Sequence, residues 1–219
     1  MIYPLVAIDG PAASGKSAVA KRLAELLRFV YVDTGAMYRA FTWLTMEKGN
    51  DPSSRPAMKK LLAETRFEME ITNGAATLSV NGVNPASFLR EERVHQTVSQ
   101  VASLPELREF LVNKQRQLRC RAPLVMEGRD IGTVVATDTP YKFFLDADPA
   151  VREARRQKQG EADSPSKRDA RDSTDPNRVA ATLIRAADAE RVDTSNMTIE
   201  EVVQHIYNSA LQRGLKPRV

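Results

Sequence analysis

Cysteine is almost missing from this chain of 219 residues, with Cys120 standing alone. No internal disulfide can form, which fits a reducing compartment. A lone cysteine of this kind is a small hydrophobe or a half-exposed helix position rather than a nucleophile. Aromatic residues are scarce at 6%, which argues against a surface built to stack nucleic-acid bases. No uncharged apolar run approaches the roughly 20 residues of a membrane helix. The start "MIYPLVAID" carries no basic leader, so a cytoplasmic protein without membrane contact is expected. Internal repeats and a second independent core are also missing. Charge of one sign is barely in excess, Lys+Arg 32 against Asp+Glu 28 giving +4. The arginines fall singly, in "YRA", "GRDIG" and "PNR". Dispersed arginines suit bidentate capture of small phosphorylated ligands better than a groove that tracks a duplex.

What is present reads as a globular α/β chain, 42% hydrophobic and 27% charged. "YPLVAI" is a buried strand, "KSAVAKRLAELL" a helix with Val19, Leu23, Leu26 and Leu27 on one face, and "FVYVD" a second strand. "GAMYRAFTWLTMEKG" is a helix closed by Gly49. Strand, glycine turn, helix and strand make a βαβ unit, the mark of a parallel sheet. Residues 66 to 89 break the rhythm with short alternating segments joined by Asn73-Gly74 and Asn81-Gly82, both hairpin signals. Helices are predicted over 91–103 and 105–119, split by Pro105, and "PLVME" and "YKFFLDA" return to buried strands. The polar stretch "RRQKQGEADSPSKRDARDSTDPNR" reads as a disordered loop or as a mobile lid. "ERVDTS" is a last strand and "TIEEVVQHIYNSALQRG" a closing amphipathic helix.

The chemistry begins at "IDGPAASGKSA". Gly10, Pro11, Ala12, Ala13, Ser14, Gly15, Lys16 and Ser17 satisfy G-x-x-x-x-G-K-[ST] in full, between a strand and a helix, with Ala18 following. Glycines let backbone N–H groups turn toward a polyphosphate, and the helix N-terminus adds its positive dipole. Lys16 then bridges the β- and γ-phosphates while Ser17 offers its hydroxyl to Mg²⁺. Such a loop serves switches, motors, ATPases and kinases alike. "VDTGAMYR" places a carboxylate, Thr34 and a glycine at a strand end, with Tyr38 and Arg39 in the next helical turns. "EGRDIGTVV" brackets Arg129 and Asp130 with two glycines after another strand. "RDSTDPNR" gathers Arg171, Asp175 and Arg178, where arginines brought over a transferring phosphoryl group stabilise its charge. The Asn-Lys-x-Asp string of a guanine reader does not occur. A different small-molecule kinase (for UMP, AMP or shikimate) and a nucleic-acid-dependent ATPase remain the competing readings at this point.

Taken together, "IDGPAASGKSA", "VDTGAMYR", "SQVASLPELRE", "MEGRDIGTVV", "KFFLDA", "RDSTDPNR" and "VDTS" resemble the bacterial cytidylate kinases in collinear order over nearly the whole chain. The resemblance implies a P-loop kinase fold: a five-stranded parallel sheet flanked by helices, an antiparallel monophosphate-binding insertion and a mobile lid. It divides the single domain into a core of 1–50, 104–150 and 188–219, an insertion near 51–103 and a lid near 151–187. It further implies ATP at residues 10–18 and Mg²⁺ at Ser17. CMP or dCMP would lie among Thr34, Tyr38, Arg39, Ser99, Arg108, Arg129, Asp130, Asp175 and Arg178. Arg39 and Arg129 would take the CMP phosphate, Ser99, Arg108 and Asp130 the cytosine ring, and Asp175 the ribose. Lys16, Arg39, Arg129, Arg171 and Arg178 would be the catalytic set. Between Arg156 and Arg171 the chain is shorter than the family pattern, so Arg168 and Asp169 rival Arg171 and Asp172. The expected assembly is a monomer with no nucleic-acid partner.

Overall fold

The computed structural model describes residues 2–158 and 183–218. In chain order its elements are β1 (Leu5–Asp9), α1 (Lys16–Leu27), β2 (Val30–Asp33), α2 (Thr34–Glu47), α3 (Arg55–Glu64), β3 (Phe67–Thr72), β4 (Ala75–Val80), α4 (Glu92–Val101), α5 (Pro105–Leu118), β5 (Leu124–Gly128), a single π-helical turn (Ile131–Val135), β6 (Lys142–Asp146), α6 (Pro149–Lys158), β7 (Glu190–Asp193) and α7 (Ile199–Gln212). Five strands run parallel in the order β2-β5-β1-β6-β7. That order puts β1 in the middle, and all five of its residues are buried, as a parallel strand covered on both faces requires.

Alternation along β1 sends Val6 and Ile8 to one face and Leu5 and Ala7 to the other. The first pair packs with Val19, Leu23 and Leu27 of α1 and Val202, Val203 and Ile206 of α7. The second pair packs with Val32, Leu118, Met126, Ile131 and Val135. A third cluster, around Met37, Phe41, Met58, Leu61, Phe67, Leu107 and Leu111, joins α2 to α3, β3 and α5.

The hairpin β3–β4 is antiparallel, and both Asn73 (φ 51°) and Gly74 (φ 74°) take the left-handed backbone that a two-residue hairpin turn needs. Instead of standing apart, the hairpin extends the parallel sheet to seven strands. It joins β2 through the pair Tyr31–Ala75, with Tyr31 N–H donating to Gly74 O at 2.9 Å. The sequence reading leaves 51–65 unassigned, yet α3 forms there. Only Met58 and Leu61 of that helix are buried, too narrow a stripe to declare a period. The helix predicted over 105–119 starts at Pro105, whose missing N–H is harmless in a first turn.

Candidate active site

The loop after β1 is shaped by contacts that leave no room for side chains. Gly10 has φ 151°, and a Cβ on it would lie 2.0 Å from the Leu145 carbonyl oxygen, so no other residue fits. Gly15 (φ 94°) precedes α1 without any side-chain cap. The amides opening α1 are thus left to an external acceptor. Lys16 donates to Pro11 O at 2.6 Å, which curls its ammonium over the loop. Ser14 Oγ is buried with no hydrogen-bond partner in the structure. Residues 10–18, expected to hold ATP, therefore form one cradle with an orphan hydroxyl inside it.

The next two strands toward the hairpin end beside this cradle. Asp33, at the end of β2, caps α2 by accepting from Ala36 N–H at 2.9 Å and pairs with Arg39 Nη2 at 2.8 Å. Thr34 is spent on structure: its buried hydroxyl donates to Glu127 O at 2.8 Å, strapping α2 to β5. A Cβ on Gly128 would meet that hydroxyl at 2.6 Å, which explains the glycine at this crossing. Beyond it, Arg129 is half-buried, and Asp130 is buried and takes a hydrogen bond from Arg108 of α5. Tyr38 feels both members of that pair. Burial, with the Asp130 charge against the Arg108 charge, pushes its hydroxyl up to about 12, so it stays protonated at neutral pH. Tyr38 Oη and Arg39 Nε are also buried without partners in the structure. Ser99 lies half-buried near the end of α4. Arg171, Asp175 and Arg178, with the rivals Arg168, Asp169 and Asp172, lie outside the described residues.

Two carboxylates that sequence reasoning gave no role stand at the centre. Asp9 accepts from the N–H groups of Ile131 and Gly132, both at 2.8 Å, and so caps the π-helical turn that follows Arg129 and Asp130. Burial raises its pKa to about 6, against those two hydrogen bonds and the Lys16 charge. Glu127 is held above the usual carboxylate range, first by burial and next by the Asp33 charge. It accepts hydrogen bonds from the hydroxyls of Ser17 and Tyr31. Their signal was in the sequence. Four of the five parallel strands end on an acid, Asp9, Asp33, Asp146 and Asp193, and in β5 Glu127 stands one residue before the closing Gly128.

On the far side of the cradle from Arg39 and Arg108, the ends of β6 and β7 open into a cavity of about 610 Å³ lined by Asp146, Asp148, Arg152, Asp193, Ser195 and Asn196. One carboxyl edge of the sheet thus offers, in order, two guanidinium–carboxylate pairs, the glycine-lined loop after β1 and an open cavity. No helix among the described residues is long and apolar enough to cross a membrane.

Comparison with known proteins gives the same order of motifs a context. The sequence profile of the family described as "Cytidylate kinase" matches residues 6–212. The cytidylate kinase of Geobacillus kaustophilus is 41% identical over 216 residues, 95% of this chain and 96% of that protein. That of Pelotomaculum thermopropionicum is 40% identical over 213 residues, 93% and 94% of the two chains. The bifunctional pantoate ligase/cytidylate kinase of Synechococcus elongatus is 42% identical over 225 residues. That alignment, gaps included, covers 97% of this chain but only 43% of that relative, so the chain spans less than half the length of the bifunctional proteins it matches.

Proposed function

The chain belongs to the cytidylate kinase family, and from that premise we propose that it transfers the γ-phosphoryl group of ATP to the phosphate of CMP, with dCMP as a second acceptor. The observation that carries the proposal is the buried Arg108–Asp130 pair beside the phosphate cradle. Cytosine presents an exocyclic amine next to a ring nitrogen and a carbonyl. A carboxylate and a guanidinium, held side by side, match that donor–acceptor order, and uracil reverses part of it. Ser99 donates to the same ring from α4.

Positioning and charge do the rest. The acceptor phosphate is already an anion at neutral pH, so no general base is needed, and the transfer is ATP + CMP → ADP + CDP. The amides of residues 10–18 and Lys16 hold the triphosphate, and the cavity at β6 and β7 takes the nucleoside of ATP. Arg39 and Arg129 hold the CMP phosphate in line with the γ-phosphorus. Binding also satisfies the orphan atoms: Ser14 Oγ in the cradle, and Arg39 Nε and Tyr38 Oη on the acceptor side. A buried unpaired polar atom costs about 1–3 kcal/mol, so substrates that meet these atoms gain from them. The insertion 51–103 would close on CMP, and Arg171, Asp175 and Arg178 would complete the site from the segment near 151–187.

The residues present suit Mg²⁺. Ser17 and Glu127 touch, and the Asp33 charge lies beside them, an all-oxygen set of the kind this ion takes together with substrate phosphates. When bound, the ion neutralises charge on the β- and γ-phosphates. Glu127 and Ser17 would hold it, and Lys16 would stay on the phosphate oxygens.

A panel of CMP, dCMP, UMP, AMP and shikimate with coupled ADP detection tests the reading. CMP should be turned over fastest, and Lys16→Ala should abolish turnover. Asp130→Ala should weaken CMP by about tenfold or more while ATP changes by less than about twofold, because a hydrogen-bonding site punishes its own unpaired groups. Equal losses for both nucleotides would remove Asp130 from base recognition.

A further inference from the structure

The cradle is fastened from behind by two residues that the reaction above does not use. Thr194 follows β7, is 3% exposed, and donates from its hydroxyl to Ser14 O at 3.0 Å. Its own N–H donates to Asp146 O at 2.8 Å, which fixes it on the end of β6. Arg155, on α6, reaches it twice, from Nη1 to Thr194 Oγ1 at 3.1 Å and from Nη2 to Thr194 O at 2.7 Å. The same Nη1 lies 3.5 Å from Ala13 O. Two consecutive carbonyls of the cradle, those of Ala13 and Ser14, are therefore drawn toward one threonine and one arginine.

A peptide unit is planar and trans, so its N–H points opposite to its C=O. Holding back the Ser14 carbonyl turns the Gly15 N–H the other way, toward the inside of the loop. A second observation agrees. Ala13 sits at φ 60°, a left-handed backbone that a residue with a Cβ adopts at a cost and keeps only where its surroundings impose it. Among the described residues, Arg155 and Thr194 are side chains that grip the carbonyl of that strained residue and the one after it.

We infer that Thr194 and Arg155 are positioning residues for the phosphoryl donor: they hold the Ala13–Gly15 backbone in its phosphate-receiving form before ATP arrives, and so tie ATP affinity to the placement of α6. Neither touches the acceptor side, where Arg39, Arg108 and Asp130 stand. The loss should therefore fall on one substrate. A general loosening of the fold would weaken both.

This inference rests on the reading that the cradle takes ATP, and the experiment keeps the two apart. Calorimetric titrations of the full chain with ATP plus Mg²⁺, and separately with CMP, are made for the unaltered protein, Thr194→Val, Thr194→Ser and Arg155→Gln. Thr194→Val and Arg155→Gln should each weaken ATP by about tenfold and leave CMP within about twofold. Thr194→Ser, which keeps the hydroxyl, should bind ATP as the unaltered protein does. The double variant should lose little more than the worse single one, because both act through one chain of hydrogen bonds. Arg155 lies on a helix with no buried residue, so its variant leaves the core intact if Thr194→Val does not fold. Unchanged ATP affinity in Arg155→Gln, or equal losses of ATP and CMP, overturns the inference while leaving the activity standing. Failure of the unaltered chain to bind ATP overturns the reading of the cradle and the inference with it.

Discussion

Asp9 is a charge kept at a cost for the sake of geometry. Both of its oxygens hold the turn that follows Arg129 and Asp130, and it directly precedes the cradle. Its pKa rises from 3.8 to about 6 on folding, so the folded protein binds this proton more tightly than the unfolded chain does. The sign follows from that difference. Stability associated with this group is fully present below pH 3.8 and is lost as pH rises through 6. The shift amounts to about 3 kcal/mol. In urea unfolding, the stability of the unaltered protein minus that of Asp9→Asn should fall by about this amount between about pH 4 and pH 7. A difference that stays flat across that range would mean that the carboxyl is solvated. Asp33 makes a related choice on a smaller scale, capping α2 with one oxygen while the other pairs with Arg39.

Among the elements, α7 packs Val202, Val203 and Ile206 into the cluster beneath α1 and holds β7 through His205 and Ser209, which both meet Glu190. It begins with a reciprocal cap, in which Thr198 Oγ1 accepts from Glu201 N–H and Glu201 Oε2 accepts from Thr198 N–H at 2.7 Å. Thr198→Ala should cost about 1 kcal/mol and lower Tm by a few degrees with kcat unchanged; a fall in kcat would tie α7 to the reaction. Elements such as α7 and β1 were legible in sequence because period and turn chemistry announce them, and Asn73-Gly74 announced its hairpin. The cradle was legible because its spacing is rigid. What stayed hidden depends on contacts between distant positions. Thr194 meets Ser14 across 180 residues, and no local pattern encodes that meeting; Arg108 and Asp130, 22 residues apart, were brought to one ring by the family resemblance alone. The seating of β4 on β2 rests on a single residue pair and was equally invisible. Asp9 and Glu127 were hidden for another reason, since a lone acid at the end of an apolar run looks like the edge of a strand.

At the scale of the molecule, the hydrophobic interior is divided along the line that separates the two proposed substrate sites. The clusters built on β1 and β5 carry the cradle, while a third cluster, centred on Phe41, Leu107 and Leu111, carries α5 with Arg108. Each substrate should therefore quieten its own part. In hydrogen–deuterium exchange, CMP should slow amides in α4 and α5, and ATP should slow those of residues 10–18 and the turn at Thr194. Protection of α4 by ATP alone, as strong as that by CMP, would contradict the division. The two parts meet where β1 and β5 lie in register, with Asp9 beside Gly128. The loop proposed for the donor and the turn proposed for the acceptor thus leave from one rung of a single ladder, on neighbouring strands that stand about 4.8 Å apart. On the proposed reaction, the gap that a phosphoryl group would cross is dimensioned by the main chain of the sheet. Exchanging side chains at either site alters which molecule is seated, while the span between the seats stays as the ladder sets it.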